Sequence, residues 1–139
     1  MSKPALITRV RPADKHHQVL TVEGGGGSYR KKPCKNCPWR VDAVGEFPAD
    51  AFRHSAVTAY DMAKETFGCH EAGAKKPATC AGFLLRGADH NLSVRLGYIT
   101  GRYKGDVTDG GNELHDNYRA MAVANGVSPD DPILARCRD

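Results

Sequence analysis

The chain has 139 residues, 40% of them hydrophobic and 26% charged, and carries a formal net charge of +4. That length suits one domain with a modest core, because glycine is abundant (15) and aromatic residues make up only 7%. No stretch approaches the roughly 20 apolar residues of a membrane span, and the start MSKPALITRVRPADKHH has no apolar signal-peptide segment. The expectation is a cytoplasmic protein, in the host cytoplasm if encoded by a phage, whose thiols stay reduced.

In chain order, ALITRVR (5–11) and QVLTVE (18–23) alternate apolar and polar residues around the turn-like Pro12-Ala13-Asp14-Lys15, which predicts a β-hairpin. Gly24 to Gly27 with Ser28 form a flexible hinge. Pro33 to Trp39 make a stiff turn around Cys34-x2-Cys37. Pro48-Ala49-Asp50 starts a helix expected over roughly 49–65, with Phe52, Ala56, Ala59, Tyr60 and Ala63 on its apolar stripe and Gly68 as its stop. After a small, basic loop at 71–79, Leu84, Leu85, Ala88, Leu92 and Leu96 share one helical face. Gly87 inside that run costs about 1 kcal/mol against Ala. The alternative is a short helix ending near Gly87 followed by the strand LSVRLGYIT. Residues 101–111 form a glycine-rich surface loop, and Leu114, Tyr118, Met121, Ala122 and Asn125 mark a helix over 112–126 stopped by Gly126. The tail 127–139 is polar and leaves Cys137 unpaired. The expected class is α+β: a small single domain with an N-terminal hairpin, a four-cysteine zinc knuckle and two to three helices. Hairpin and hinge occupy 1–27, a metal-binding core 28–98, and a loop and helix 99–139.

Cys34, Cys37, Cys69 and Cys80 have the pattern of a metal site. Two thiols two residues apart can grip one ion from a single turn, and a second pair from further along closes a tetrahedron. Zinc suits four thiolates. A 4Fe-4S cluster is the alternative cofactor, suggested by Cys37-Pro38 but matching neither ferredoxin spacing; free or disulfide-bonded cysteines are the plainer one. His70, beside Cys69, is either an alternative ligand or a residue behind the ligands, available for proton chemistry if unbound. His16 and His17 lack a third partner for a metal.

Charge is unevenly spread. Residues 1–40 carry nine Lys/Arg against Asp14 and Glu23, which is +7, and residues 41–139 carry eleven against fourteen acids, which is −3. Arg30, Lys31, Lys32, Lys35 and Arg40 surround the first Cys pair and, with Trp39, form a candidate lip for an anionic partner. A solvated lysine-rich loop explains the same residues, and Trp39 serves either as a stacking surface or as a cap on the apolar side of the site.

The segments PCKNCPWR, FGCH and CAGFLL with the following VRLG resemble a family of small Cys-rich proteins of unknown function found in bacteriophages and in bacteria, particularly actinobacteria. The likeness covers about residues 32–98. It implies a shared metal-type core, a phage or mobile-element setting, and binding to a host machine, but no activity.

No complete catalytic set stands out, which favours an interaction protein that binds and modulates a host protein or nucleic-acid machine through its basic N-terminal region. No small-molecule substrate is evident. Asp89-His90, Asn112, His115 and Asn117 follow the HNH nuclease order at poor spacing, so a metal-dependent nuclease is one alternative. An iron–sulfur redox sensor is the other. A zinc hydrolase is disfavoured, because four thiolates leave no position open for water.

Overall fold

The alternating segments at the start of the chain pair as expected. In the computed structural model, which describes residues 6–12, 18–23, 28–69 and 78–137, β1 (Leu6–Pro12) and β2 (Gln18–Glu23) form an antiparallel hairpin with a bulge between Ile7 and Arg9. The expected hinge at Gly24–Gly27, the loop at 71–77, and His16, His17 and His70 lie outside the described residues. The hairpin joins the rest of the domain through β4 (Glu65–Thr66), which adds to β2 with Val22 opposite Thr66. A second, parallel pair joins β3 (Ser28–Tyr29) to β5 (Ala78–Thr79).

Four short helices follow: α1 (Ala49–Ser55), α2 (Ala81–Arg86), α3 (Leu92–Ile99) and α4 (Tyr118–Ala124). The result is a small single domain of mixed helices and a few strands.

The helix expected over 49–65 is α1 followed by a 3-10 turn at Ala56–Ala59, and it ends there. Ser55 Oγ donates to the Ala51 carbonyl (3.2 Å) and Thr58 Oγ1 to that of Ser55 (2.8 Å). Such side-chain bonds compete with helix continuation. Tyr60 then turns extended and bridges Cys137, while Met62 takes a left-handed φ of 61°.

The run 80–98 is helical in both halves but broken, so the strand alternative for LSVRLGYIT fails. Asn91 decides this. Only 1% exposed, it accepts the Val94 N–H (3.1 Å) as the N-cap of α3 and donates to the carbonyls of Glu65 (2.6 Å) and Thr58 (3.4 Å). One amide thus starts a helix and satisfies two carbonyls that the end of the preceding helix and β4 leave open. The expected apolar face is also rotated: Leu96 is exposed, and Ser93, Val94 and Gly97 face inward.

The last expected helix starts late, at Asn117, because Leu114 is used in an antiparallel bridge to Arg40. The polar tail is part of the core. Val127, Leu134 and Cys137 are buried, Arg53 pairs with Asp131, and an Arg119 Nη donates to the Leu134 carbonyl at 2.9 Å.

Trp39 sits at the centre of the core, fully buried. Phe67 and Tyr118 meet it edge-on at centroid distances of 5.8 and 6.0 Å, and Phe83 lies tilted at 6.5 Å. The indole is laid against α2 so closely that only glycine fits: a Cβ on Gly82 would lie 2.4 Å from Trp39 Cβ, and one on Gly87 2.4 Å from Cη2. This explains glycines that helix propensity alone disfavours. Gly82→Ala is expected to cost about 2–3 kcal/mol in urea unfolding, because the clash is with an atom next to the backbone that cannot swing away. Gly68→Ala, whose added methyl meets only the Ala78 carbonyl at 3.9 Å, should stay within about 1 kcal/mol of wild type. Equal losses in the two variants would contradict this packing.

Candidate metal centre

The thiol cluster is assembled by two pieces of backbone. The first is the turn Cys34–Cys37, closed by a hydrogen bond from Cys37 N–H to the Cys34 carbonyl (3.1 Å). Asn36 supplies the left-handed φ of 58°, a conformation asparagine tolerates better than most residues. A second turn follows at once, with Arg40 N–H on the Cys37 carbonyl (2.9 Å). Pro33 and Pro38, both buried, flank the first turn.

The second piece is the pairing of 67–69 with 78–80. Cys69 N–H donates to the Ala78 carbonyl (2.7 Å) and Cys80 N–H to the Phe67 carbonyl (2.9 Å), around the bridge Gly68–Thr79. In this register Phe67, Cys69, Ala78 and Cys80 share one face, with Cys69 and Cys80 as diagonal neighbours. Tyr29 lies beside Thr79 in the parallel pair, and Arg30 N–H bonds the Thr79 carbonyl (2.9 Å), which delivers the turn to Cys80.

Cys37 Sγ lies 3.6 Å from Cys80 Sγ, both buried, and the Cys34 thiol is hydrogen-bonded to Cys37. All five cysteines are free thiols. Two thiolates each about 2.3 Å from one tetrahedral ion stand about 3.8 Å apart, close to the observed separation, which is equally that of a thiol–thiol hydrogen bond. The Cys34 hydrogen bond pulls the Cys37 pKa down, but the Cys80 sulfur and burial outweigh it and hold the proton well above the ordinary thiol range. Removing that proton requires a nearby positive charge, and a divalent ion supplies one. Among the described residues no group of three or more His, Cys, Asp or Glu side chains is arranged so that it could hold a metal ion. What stands is three thiols in contact, with Cys69 on the same strand-pair face as Cys80.

The expected lip changes in composition. Trp39 offers no ring face to solvent, since burial in the core outcompetes stacking on a partner. Arg40 is bound by Asp42 through Nε (2.9 Å) and Nη2 (2.6 Å), so its fork is already occupied. Lys31 pairs with Asp106 at 3.3 Å, and Tyr29 donates its hydroxyl to the same carboxylate at 2.6 Å. Lys32 and Lys35 are exposed, as is Arg30.

The HNH-like residues come together only in part, without Asn112 and His115. Asn112 donates its amide to the Asp109 carbonyl (3.0 Å), and His115 is buried beside Trp39, its N–H on the Trp39 carbonyl (3.0 Å). Asp89, His90 and Asn117 do meet, lining one cleft together with Arg86. The sequence reading missed Arg86: its spacing from Asp89 is visible, but their shared cleft depends on where α4 starts.

The geometry defines a small thiol-rich α+β protein. The chain belongs to a family of unknown function (DUF6283), whose model matches residues 29–138. No curated protein and no solved structure matches it. The match runs past the 32–98 segment of the resemblance, takes in α4 and the buried tail, and leaves out the hairpin.

Two outcomes follow. Trp39 is the chain's single tryptophan and sits two residues from Cys37. Cys37→Ser is therefore expected to shift its emission to the red as the core opens; an unchanged spectrum in that variant would disconnect the cluster from the fold. Burial lowers the His115 pKa from its ordinary 6.5, and the nearby Asp116 and Glu113 oppose this only weakly. Below pH about 6.5 the unfolded chain takes up a proton that the native state refuses, so stability falls as pH falls toward the native pKa. The melting temperature of His115→Leu should decline less than wild type between pH 7 and pH 5, and parallel curves would refute the assignment.

Proposed function

We propose that the chain is a small zinc-stabilised interaction protein that binds an anionic partner, a host nucleic-acid machine or its nucleic acid, through the basic rim of its thiol cluster. The observation that carries this is the convergence of Cys34, Cys37 and Cys80, with Cys69 on the same strand-pair face as Cys80. In this reading those four residues hold the ion, and its contribution is a structural cross-link between two distant pieces of backbone. A platform built in this way keeps Arg30, Lys31, Lys32 and Lys35 on one short segment beside the turn, where Asp106 neutralises Lys31 only in part. The resemblance to phage and actinobacterial Cys-rich proteins supports a host machine as the partner.

Elemental analysis should find one zinc per chain in a colourless protein, whereas brown colour with absorbance near about 400 nm means an iron–sulfur centre instead. Capture from host lysate should fall with salt, and nuclease treatment separates a nucleic-acid bridge from a protein contact. For nucleic acid, changing Lys32 and Lys35 together to Gln is expected to lower the slope of log affinity against log salt by about two, with no change in melting temperature. A metal-free chain that is fully folded, with a Cys34→Ser variant melting at the same temperature, would sink the proposal.

A further inference from the structure

The far edge of the Trp39 indole backs Gly87. On the other side of Gly87 a shallow open cleft is lined by Thr58, Tyr60, Arg86, Asp89, His90 and Asn117, among others. Its walls are fixed by hydrogen bonds that serve the fold: Thr58 Oγ1 on the Ser55 carbonyl, Tyr60 hydroxyl on the Ile133 carbonyl (2.8 Å), and Asn117 Oδ1 on the Ala120 N–H (2.8 Å). Arg86 and His90 differ from these. Their side chains line the cleft and make no hydrogen bond or ion pair among the described residues.

A planar guanidinium with no partner matches a phosphate in a two-bond fork. His90 can add a ring N–H, and Asn117 has its amide NH2 to spare, since its oxygen caps α4. Asp89 on the same rim accepts hydrogen bonds and repels negative charge, which disfavours a highly charged anion and suits a hydroxyl beside the phosphate. The enclosed space is only about 30 Å³, far below the roughly 300–1,000 Å³ of enclosing ligand pockets, so the cleft seats phosphate oxygens against its floor and leaves the rest of the group in its open mouth. The opening leaves the rest of a larger molecule in solvent. We infer that this cleft binds the phosphate group of a sugar phosphate, as carried by a free nucleotide or by a nucleic-acid strand.

The test is titration of the full-length, isotope-labelled chain at low salt with three probes, followed by two-dimensional NMR: inorganic phosphate, a nucleoside 5′-monophosphate, and a short single-stranded oligonucleotide. Saturable shifts are expected at residues 86–91 and 117–118, with the nucleotide tighter than inorganic phosphate. Replacing Arg86 and His90 together by Gln should weaken binding at least roughly tenfold without moving the melting temperature. A nucleotide that binds at least as tightly as the strand identifies a small-molecule ligand, and a strongly preferred strand identifies a nucleic-acid contact; both support the cleft. No shifts at these residues with any probe would overturn the inference. So would strand binding that survives the Arg86/His90 double variant and is lost in the Lys32/Lys35 one. Neither result bears on metal content, so the cleft and the zinc-stabilised platform stand or fall separately.

Discussion

A single residue, Pro38, separates the thiol at the centre of the cluster from the ring at the centre of the core. Cys37 and Trp39 belong to the same pair of consecutive turns, and both are fully buried. Whatever fixes the Cys34–Cys37 turn therefore also fixes the direction in which the indole leaves it. The indole in turn sets where α2 can lie, because Gly82 and Gly87 admit it with no room to spare. Cys80 closes the circuit, since it caps the same helix and touches Cys37 through sulfur. Sulfur cluster, tryptophan and helix form one unit, and displacing any of them disturbs the other two.

Electrostatics follow from this economy of space. The cations near the first Cys pair do not form a uniform patch. Arg40 is turned onto Asp42, whose carboxyl it holds below the usual range, and Asp106 is held low by the Tyr29 hydroxyl and then by Lys31. Positive charge is thus withdrawn from the buried side of the turn and left on the residues that precede it and on Lys35. Inside the core, the Tyr118 hydroxyl donates to the Phe52 carbonyl, and burial keeps it protonated.

The hairpin was legible because its period-two alternation is local, and the Cys34-x2-Cys37 turn because its spacing carries its own geometry. The helices were legible in place but not in length. Nothing local shows that Asn91 serves Thr58, Glu65 and Val94 together, or that Leu114 belongs to a bridge with Arg40. The same is true of the tail. Its polar composition hides three widely spaced inward residues, Val127, Leu134 and Cys137, whose partners lie far back in the chain. Cys69 is the reverse case: its position beside Gly68 looked like a helix stop, but its relation to Cys80 rests on strand register, which only the pairing of 67–69 with 78–80 reveals. Gly87, which in the sequence reads only as a cost to a helix, is together with Gly82 the seat of the tryptophan.

The hydroxyl of Tyr60 reaches the Ile133 carbonyl across 73 residues of sequence, and its backbone bridges Cys137. During synthesis, then, the segment around α1 emerges long before the strand that completes it. The CxxC turn and the helices can form early, but the edge beside Tyr60 stays open until Ile133 and Cys137 have been made. Closing so long a loop is slow compared with forming helices, so nascent chains spend that interval with Leu134's pocket vacant and apolar surface uncovered.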